Sequence, residues 1–263
     1  MLSLGVWFKN LLGDSHPCVV TVIGSGGKTS LIWHLAGVLT GRNRRVLVTP
    51  TTKMFVPDKK FYDRYCNGVP PCLDSGVTLT GTFNEANGKL EALPPGELEA
   101  IIPGCDIVLI EGDGSGGLPL KAWAEYEPVV PSFTNITVGV LPLWPLGKPV
   151  SENLVHRLPL FTALTGAVPG KVLEIEHLLR LITGSGGAVN GVVSNDAAIT
   201  DTASAPGLFA KARGKKVLFF NQVEDDVSLR QAGVLTEHLP TEFRRGLSGI
   251  IAGSVKLDRL EEL

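Results

Sequence analysis

Short apolar runs alternate with stretches of helical spacing along most of this chain. Runs of strand length occur at Val19–Ile23, Arg45–Thr49, Ile107–Glu111, Asn135–Leu141, Gly191–Asn195, Lys216–Asn221 and Ser248–Gly253. Helical apolar spacing predicts helices over Thr29–Leu39, Glu97–Ile102, Val155–Leu164, Ile175–Leu181, Ala203–Ala212, Asp226–Ala232 and Lys256–Leu263, with a short amphipathic helix over Met1–Leu12. Strands that are apolar throughout are buried on both faces, and strands separated by helices pair in parallel. The pattern therefore predicts an α/β fold of three layers, with a mostly parallel central sheet covered by helices. Ligands of such folds bind at the carboxyl ends of the strands, so the residues after each strand are the ones to read for function.

Two regions interrupt the alternation. Residues 50–95 are rich in Gly, Pro, Asn and Asp and form an irregular insertion, with a hairpin expected around Val77–Leu90 that turns at Asn84–Ala86. Leu141–Val150 is a proline-rich connector at which a second half of the chain would begin. A length of 263 residues suits a single α/β domain spanning 1–263.

Composition narrows the function classes. The formal net charge is −2, with acids and bases nearly balanced, so no basic face for nucleic acid is expected. No apolar run has membrane-spanning length, and the start lacks the charged lead and small-residue cleavage site of a signal peptide. The four cysteines form no C-x-x-C pair. Cys18 and Cys105 begin apolar strands as packing thiols, and Cys66 and Cys72 fall in the irregular segment. A reducing cytoplasm fits this usage best.

The chain holds three Gly-Ser-Gly-Gly runs, and only the first, in Gly24-Ser25-Gly26-Gly27-Lys28-Thr29-Ser30, continues into Lys-Thr. Glycines let several backbone N–H groups point at one anion, a lysine reaches the outer phosphates, and a Ser/Thr hydroxyl ligates Mg²⁺. Strand, glycine loop and helix follow in order, which places a helix N-terminus against the phosphates. The usual pattern would have a glycine at Val22, so the loop is the shortened G-x-x-G-K-T of Mur-ligase-type loops. The bland alternative is a glycine turn into a helix with a surface lysine. The expected ligands are ATP or GTP with Mg²⁺, on a P-loop NTPase-like fold.

Other strand ends supply candidate partners. Thr51, Thr52 and Lys53 suit an anion or a metal-bound water, although strand propensity alone also favours threonines there. Ile107–Glu111 has the form of a Walker-B strand, and Glu111 and Asp113, two residues apart, lie on one side of an extended chain. Thr29, Glu111 and Asp113 are thus the expected metal ligands, with Lys28, Glu111 and Asp113 carrying the chemistry. The second glycine run, Gly114–Gly117, reads as a hinge of this acidic loop, and the third, Gly184–Gly187, as a helix C-cap and turn. Asn221-Gln222-Val223-Glu224 resembles the guanine-reading N-K-x-D of GTPases, with Asn221 and Glu224 as base-side candidates. Ordinary capping of the helix that follows would use the same residues. His16, His34, His177 and His238 show no metal spacing, whereas His156-Arg157 could serve proton and phosphate chemistry or simply begin a solvated helix.

These motifs occur together with Glu111-Gly112-Asp113-Gly114-Ser115-Gly116-Gly117-Leu118-Pro119-Leu120-Lys121, Glu125-Tyr126-Glu127-Pro128-Val129-Val130-Pro131 and Val155-His156-Arg157. In this order the chain resembles the YqeC family, accessory proteins of selenium-dependent molybdenum hydroxylases. The resemblance implies a cytoplasmic P-loop protein acting in maturation of a selenium-containing molybdenum cofactor, with a molybdenum hydroxylase or its maturation proteins as partners. Pro50 and Gly112 depart from the family's usual threonine and alanine.

The expected activity is an Mg²⁺-dependent NTPase or NTP-dependent transferase, with Lys121, Glu125, Glu127, His156 and Arg157 on the acceptor side. The competing expectation is a nucleotide-gated docking module with negligible turnover. An amide-forming ligase, suggested only by the shortened loop, would need large further domains for which too little chain remains.

Overall fold

The computed structural model describes residues 2–13, 16–41, 43–184 and 206–263. In chain order its strands are β1 (Cys18–Gly24), β2 (Arg45–Pro50), β3 (Lys53–Phe55), β4 (Arg64–Asn67), β5 (Gly76–Asn84), β6 (Lys89–Glu91) and β7 (Ile107–Glu111). β8 (Leu120–Lys121), β9 (Ile136–Pro142), β10 (Val155–His156), β11 (Lys215–Asn221), β12 (Gly249–Ser254) and β13 (Arg259–Glu262) follow. The α-helices are α1 (Leu4–Leu12), α2 (Lys28–Thr40), α3 (Pro95–Ile101), α4 (Leu158–Thr165), α5 (Ile175–Thr183), α6 (Asp226–His238) and α7 (Thr241–Arg245).

One large sheet runs in the order β13-β12-β11-β9-β1-β7-β2-β5-β6-β3, with β4 also on β5, and β8 pairs separately with β10. From β12 through β5 every pairing is parallel, and the antiparallel pairs lie at the two ends. The central strands β1, β7 and β9 are buried at every position, as runs without polar alternation require.

Alternate residues of β1 serve opposite layers. Val20 and Val22 pack with Phe8 of α1 and with Leu31, Leu35 and Leu39 of α2. Ile23 packs with Phe161 of α4, Leu178 of α5 and Leu235 of α6. Val19 joins Leu47 and Val108 under Leu98 of α3. Two faces covered by helices make the expected three-layer α/β architecture. No helix among the described residues is long and apolar enough to cross a membrane.

Several local expectations need correction. Lys256–Leu263 is not a helix: a turn leads into β13, antiparallel to β12, with Leu260 buried between less buried Arg259 and Glu261. Charged residues flanking one inward leucine suit an edge strand, and pairing outweighs their helix propensity. The helix expected over Val155–Leu164 begins only at Leu158, because Arg157 has φ 61° and Pro159 is tolerated only in the first turn. Val155–His156 instead pairs with Leu120–Lys121 as β10 on β8. In Ala203–Ala212 the described residues 206–212 form a turn with Leu208 and Phe209 buried. Gly191–Asn195 lies outside the described residues, as does most of the third glycine run, although Gly184 does cap α5.

The hairpin is present as β5 against β6, with the Asn84 carboxamide oxygen accepting from the Ala86 amide at 2.9 Å. Residues 50–95 also contribute β4 and β5 to the main sheet, since Gly, Pro, Asn and Asp there mark turns between short strands.

Candidate functional site

The register brings four strand ends together, with Val22 opposite Glu111, Gly24 opposite Val140 and Asn221 opposite Pro142. The glycine loop leaves β1 at this level. Gly24 has φ 99°, and a Cβ there would stand 2.2 Å from the Val140 carbonyl oxygen. Gly27 has φ 112°, and a Cβ would stand 2.3 Å from Asn221 Nδ2. Both positions therefore exclude a side chain by backbone angle and by space. Gly24→Ala should cost about 3 kcal/mol of stability in urea denaturation. A variant as stable as its parent would show that the loop is not held this way.

The loop amides divide into two groups. The Gly24 amide donates to both Asp113 oxygens at 3.1 Å, and the Ser25 amide donates to Val140 O at 3.0 Å. The amides of Gly26, Gly27, Lys28 and Thr29 have no backbone acceptor among the described residues. They sit at the N-terminus of α2, whose first turn holds no acidic residue to offset the dipole. Such a group of donors is suited to a phosphate-like anion.

The two carboxylates after β7 occupy different places. Glu111 Oε2 accepts from Thr29 Oγ1 at 2.9 Å on the floor of an open cleft. Burial pushes the Glu111 carboxyl above its ordinary pKa, against the opposing pull of Lys28 and Thr29. Asp113 is wholly buried behind the loop, and besides Gly24 it accepts from Trp123 Nε1 at 2.6 Å. It also pairs with Lys28 Nζ at 3.3 Å and Lys121 Nζ at 3.2 Å. Lys28 Nζ donates to the Gly24 carbonyl at 2.7 Å, so the ammonium lies folded against its own loop.

Asp113 begins a chain of charges. Lys121, fully buried, donates to Glu127 at 2.8 Å and to the Gly114 carbonyl at 2.5 Å. Arg157 also donates to Glu127, and to the Tyr126 hydroxyl at 3.2 Å. Burial would raise the Glu127 pKa, but hydrogen bonds from Arg157 and Lys121 outweigh it and hold it below the usual carboxylate range. His156, on β10, is depressed by burial and then by the Arg157 and Lys121 charges. Lys121, Glu127, His156 and Arg157 thus lie behind the cleft rather than in its lining, and Glu125 is exposed outside the ion pairs.

The cleft itself has a volume of about 370 Å³. Gly26–Ser30 form its floor with Glu111. Lys53–Phe55 and Lys89 stand on one side, Gly114–Pro119 over the acidic end, and Trp144 with Gln222 on the other side. Lys53 Nζ pairs with Glu91 at 2.8 Å, and Lys89 Nζ lies 4.4 Å from the Phe55 ring centroid. Sequence reasoning passed over Phe55, Lys89 and Trp144. Their one signal was an aromatic or a lysine close to a strand end. A larger hollow of about 540 Å³ opens beside Arg244 at the start of β12, the opposite end of the parallel strands.

Thr51, Asn221 and Glu224 also fall outside the cleft lining. Thr51 donates through Oγ1 to the Val129 carbonyl at 2.7 Å, tying two loops together. Asn221 donates to Gly26 O at 2.8 Å and accepts from the Val255 amide at 3.2 Å, so both ends of its carboxamide hold backbone. Glu224 accepts from Ser254 Oγ at 2.9 Å and lines a separate hollow.

A Thr hydroxyl in contact with a carboxylate beside free amides is a hard-oxygen donor set that fits Mg²⁺. No group of three or more His, Cys, Asp or Glu side chains placed to hold a metal occurs among the described residues. Mg²⁺ usually keeps several waters and takes phosphate oxygens, so one carboxylate and one hydroxyl suffice.

The family model described as YqeC protein matches residues 20–159. A protein of Escherichia coli (strain K12), described as "Uncharacterized protein YqeC", is 36% identical over 192 residues, 70% of this chain and 74% of that protein. No solved structure matches. The matched stretch contains the glycine loop, the Glu111 strand end and the Asp113–Lys121–Glu127–Arg157 chain, and on these matches the protein belongs to the YqeC family.

Proposed function

We propose that this protein binds a nucleoside triphosphate with Mg²⁺ on the Gly24–Ser30 loop and hydrolyses it or transfers its terminal phosphoryl group. The observation that carries the reading is the set of loop amides without backbone acceptors, next to the Thr29–Glu111 contact. Following the family resemblance, the setting we propose is maturation of a selenium-containing molybdenum cofactor, with a molybdenum hydroxylase or its maturation proteins as partners.

The Gly26–Thr29 amides hold the inner phosphates, and Lys28 turns from the Gly24 carbonyl and Asp113 onto the outer ones. Asp113 keeps its charge compensated through Lys121, Trp123 and the Gly24 amide when Lys28 leaves. It braces the loop, while Glu111 and Thr29 are the residues that would hold Mg²⁺. Bound there, Mg²⁺ supplies neutralisation of charge on the outer phosphates. Phosphoryl transfer needs mainly positioning and electrostatics, which this cleft floor supplies.

A second reading, a nucleotide-gated docking module, draws support from the buried ion chain between Lys28 and the exposed Tyr126. Multiple-turnover phosphate release from ATP and GTP separates the two. Release should require Mg²⁺, stop with EDTA, and fall about 100-fold in Glu111→Gln. Nucleotide binding without release would favour the docking module, and release indifferent to EDTA and to Glu111→Gln would defeat the metal assignment.

A further inference from the structure

We infer that the purine of an adenine nucleotide stacks on Trp144 and is read at its edge by Gln222. The inference rests on the nucleotide reading above and adds to it which base is taken and where. The Thr29–Glu111 contact lies on the β7 side of the loop, so the outer phosphates lie there too. A triphosphate spanning the loop therefore sends its nucleoside the other way, across the ends of β9 and β11. The cleft lining at that end is Trp144, just after β9, and Gln222, just after β11.

Trp144 is built to present a ring. It sits in a turn between fully buried Leu143 and half-buried Leu146, closed by the Leu146 amide donating to Leu143 O at 3.0 Å. Its side chain is 42% exposed, whereas the other three tryptophans are at most 9% exposed. Lys148 Nζ stands 4.0 Å from the Trp144 ring centroid, placing a cation on one face of the indole and near the nucleotide end of the cleft. An aromatic ring at this position is a sequence-tolerant platform for a base.

Gln222 supplies the discrimination. It holds φ 62° between buried Asn221 and Val223, so the chain accepts a left-handed residue in order to place an exposed carboxamide at the rim. A carboxamide offers one donor and one acceptor, the pair that adenine's amino group and adjacent ring nitrogen require. Guanine can offer a carboxamide its O6 and N1–H, but its N2 amino group then lacks an acceptor, and the full N1–H/N2–H donor pair calls for a carboxylate. The acid in the described cleft lining is Glu111, at the metal end, and Glu224 is held by Ser254 in a separate hollow.

Equilibrium binding of ATP, GTP and inorganic tripolyphosphate, each with Mg²⁺, tests this on the full chain. ATP should bind about tenfold or more tightly than either GTP or tripolyphosphate, and ATP, unlike tripolyphosphate, should change the Trp144 emission. Trp144→Ala should lower ATP affinity about tenfold without moving tripolyphosphate affinity, Trp144→Phe should restore most of it, and Gln222→Ala should erase the preference over GTP. Equal binding of ATP and tripolyphosphate, a GTP preference, or an unchanged ATP affinity in Trp144→Ala would overturn the inference while leaving the phosphate site standing. Failure of all three ligands to bind would overturn both together.

Discussion

Lys28→Ala is expected to lower nucleotide-dependent phosphate release at least about 100-fold, with a much smaller effect on folding. Lys28 is the cation on the floor of the cleft, and the partners its Nζ gives up are the Gly24 carbonyl and Asp113. Asp113 retains the Lys121 ammonium, the Trp123 indole N–H and the Gly24 amide. Stability is therefore largely kept while the charge aimed at the outer phosphates is removed. Phosphate release and urea denaturation measured on one preparation check both halves. Undiminished release would remove Lys28 from the chemistry, and a collapse of stability would make the loss uninterpretable as chemistry and assign Lys28 a structural role.

Lys121→Met should have the opposite profile, a large loss of stability of about 3 kcal/mol. The side chain is 0% exposed and its ammonium is shared by Asp113, Glu127 and the Gly114 carbonyl. A methionine fills the stem's volume but leaves two buried carboxylates with one cation fewer. The cost is partial because Lys28 still faces Asp113 and Arg157 still faces Glu127. Acid should narrow the difference. The folded pKa of Glu127 is depressed, so its share of stability is complete above the ordinary glutamate pKa of about 4.3 and is lost as pH falls through the lower folded value. Denaturation midpoints of parent and variant should thus stand far apart at neutral pH and converge at strongly acid pH. A variant that matches its parent at neutral pH would show that the ion chain does not stabilise the fold.

The contrast between these lysines shows how far local pattern reaches. Lys28 follows a glycine run at the end of an apolar strand, and its position at a helix N-terminus follows from those neighbours alone. Lys121 sits in a Leu-Pro-Leu-Lys stretch that gives no sign of burial. Its partners come from the loop after β7, from Glu127 and, through Glu127, from Arg157, and only the pairing of β8 with β10 assembles them. The same holds for Asp113. Its spacing from Glu111 suggested two carboxylates sharing one metal, but folding turns one into the cleft and the other behind the glycine loop.

Asn221 makes the point at the other edge. A strand end reading Asn-Gln-x-Glu pointed to a base, and Asn221 instead holds the Gly26 carbonyl and the Val255 amide. The residue left free to meet a ligand is its neighbour Gln222, through a backbone turn that no spacing rule announces.

Local residue pattern is enough to specify the layered α/β architecture, the parallel order of the central strands as a class, the glycine loop and the Glu111 strand end. These depend on runs of a few adjacent residues, where burial period and backbone freedom act locally. Long-range packing sets the strand order, the edge strand β13, the diversion of Asp113 into a buried ion chain, and the placing of Phe55, Lys89, Trp144 and Gln222 around one cleft. Those depend on contacts between residues far apart in the chain, whose energies are set by desolvation and by what stands opposite rather than by what stands next.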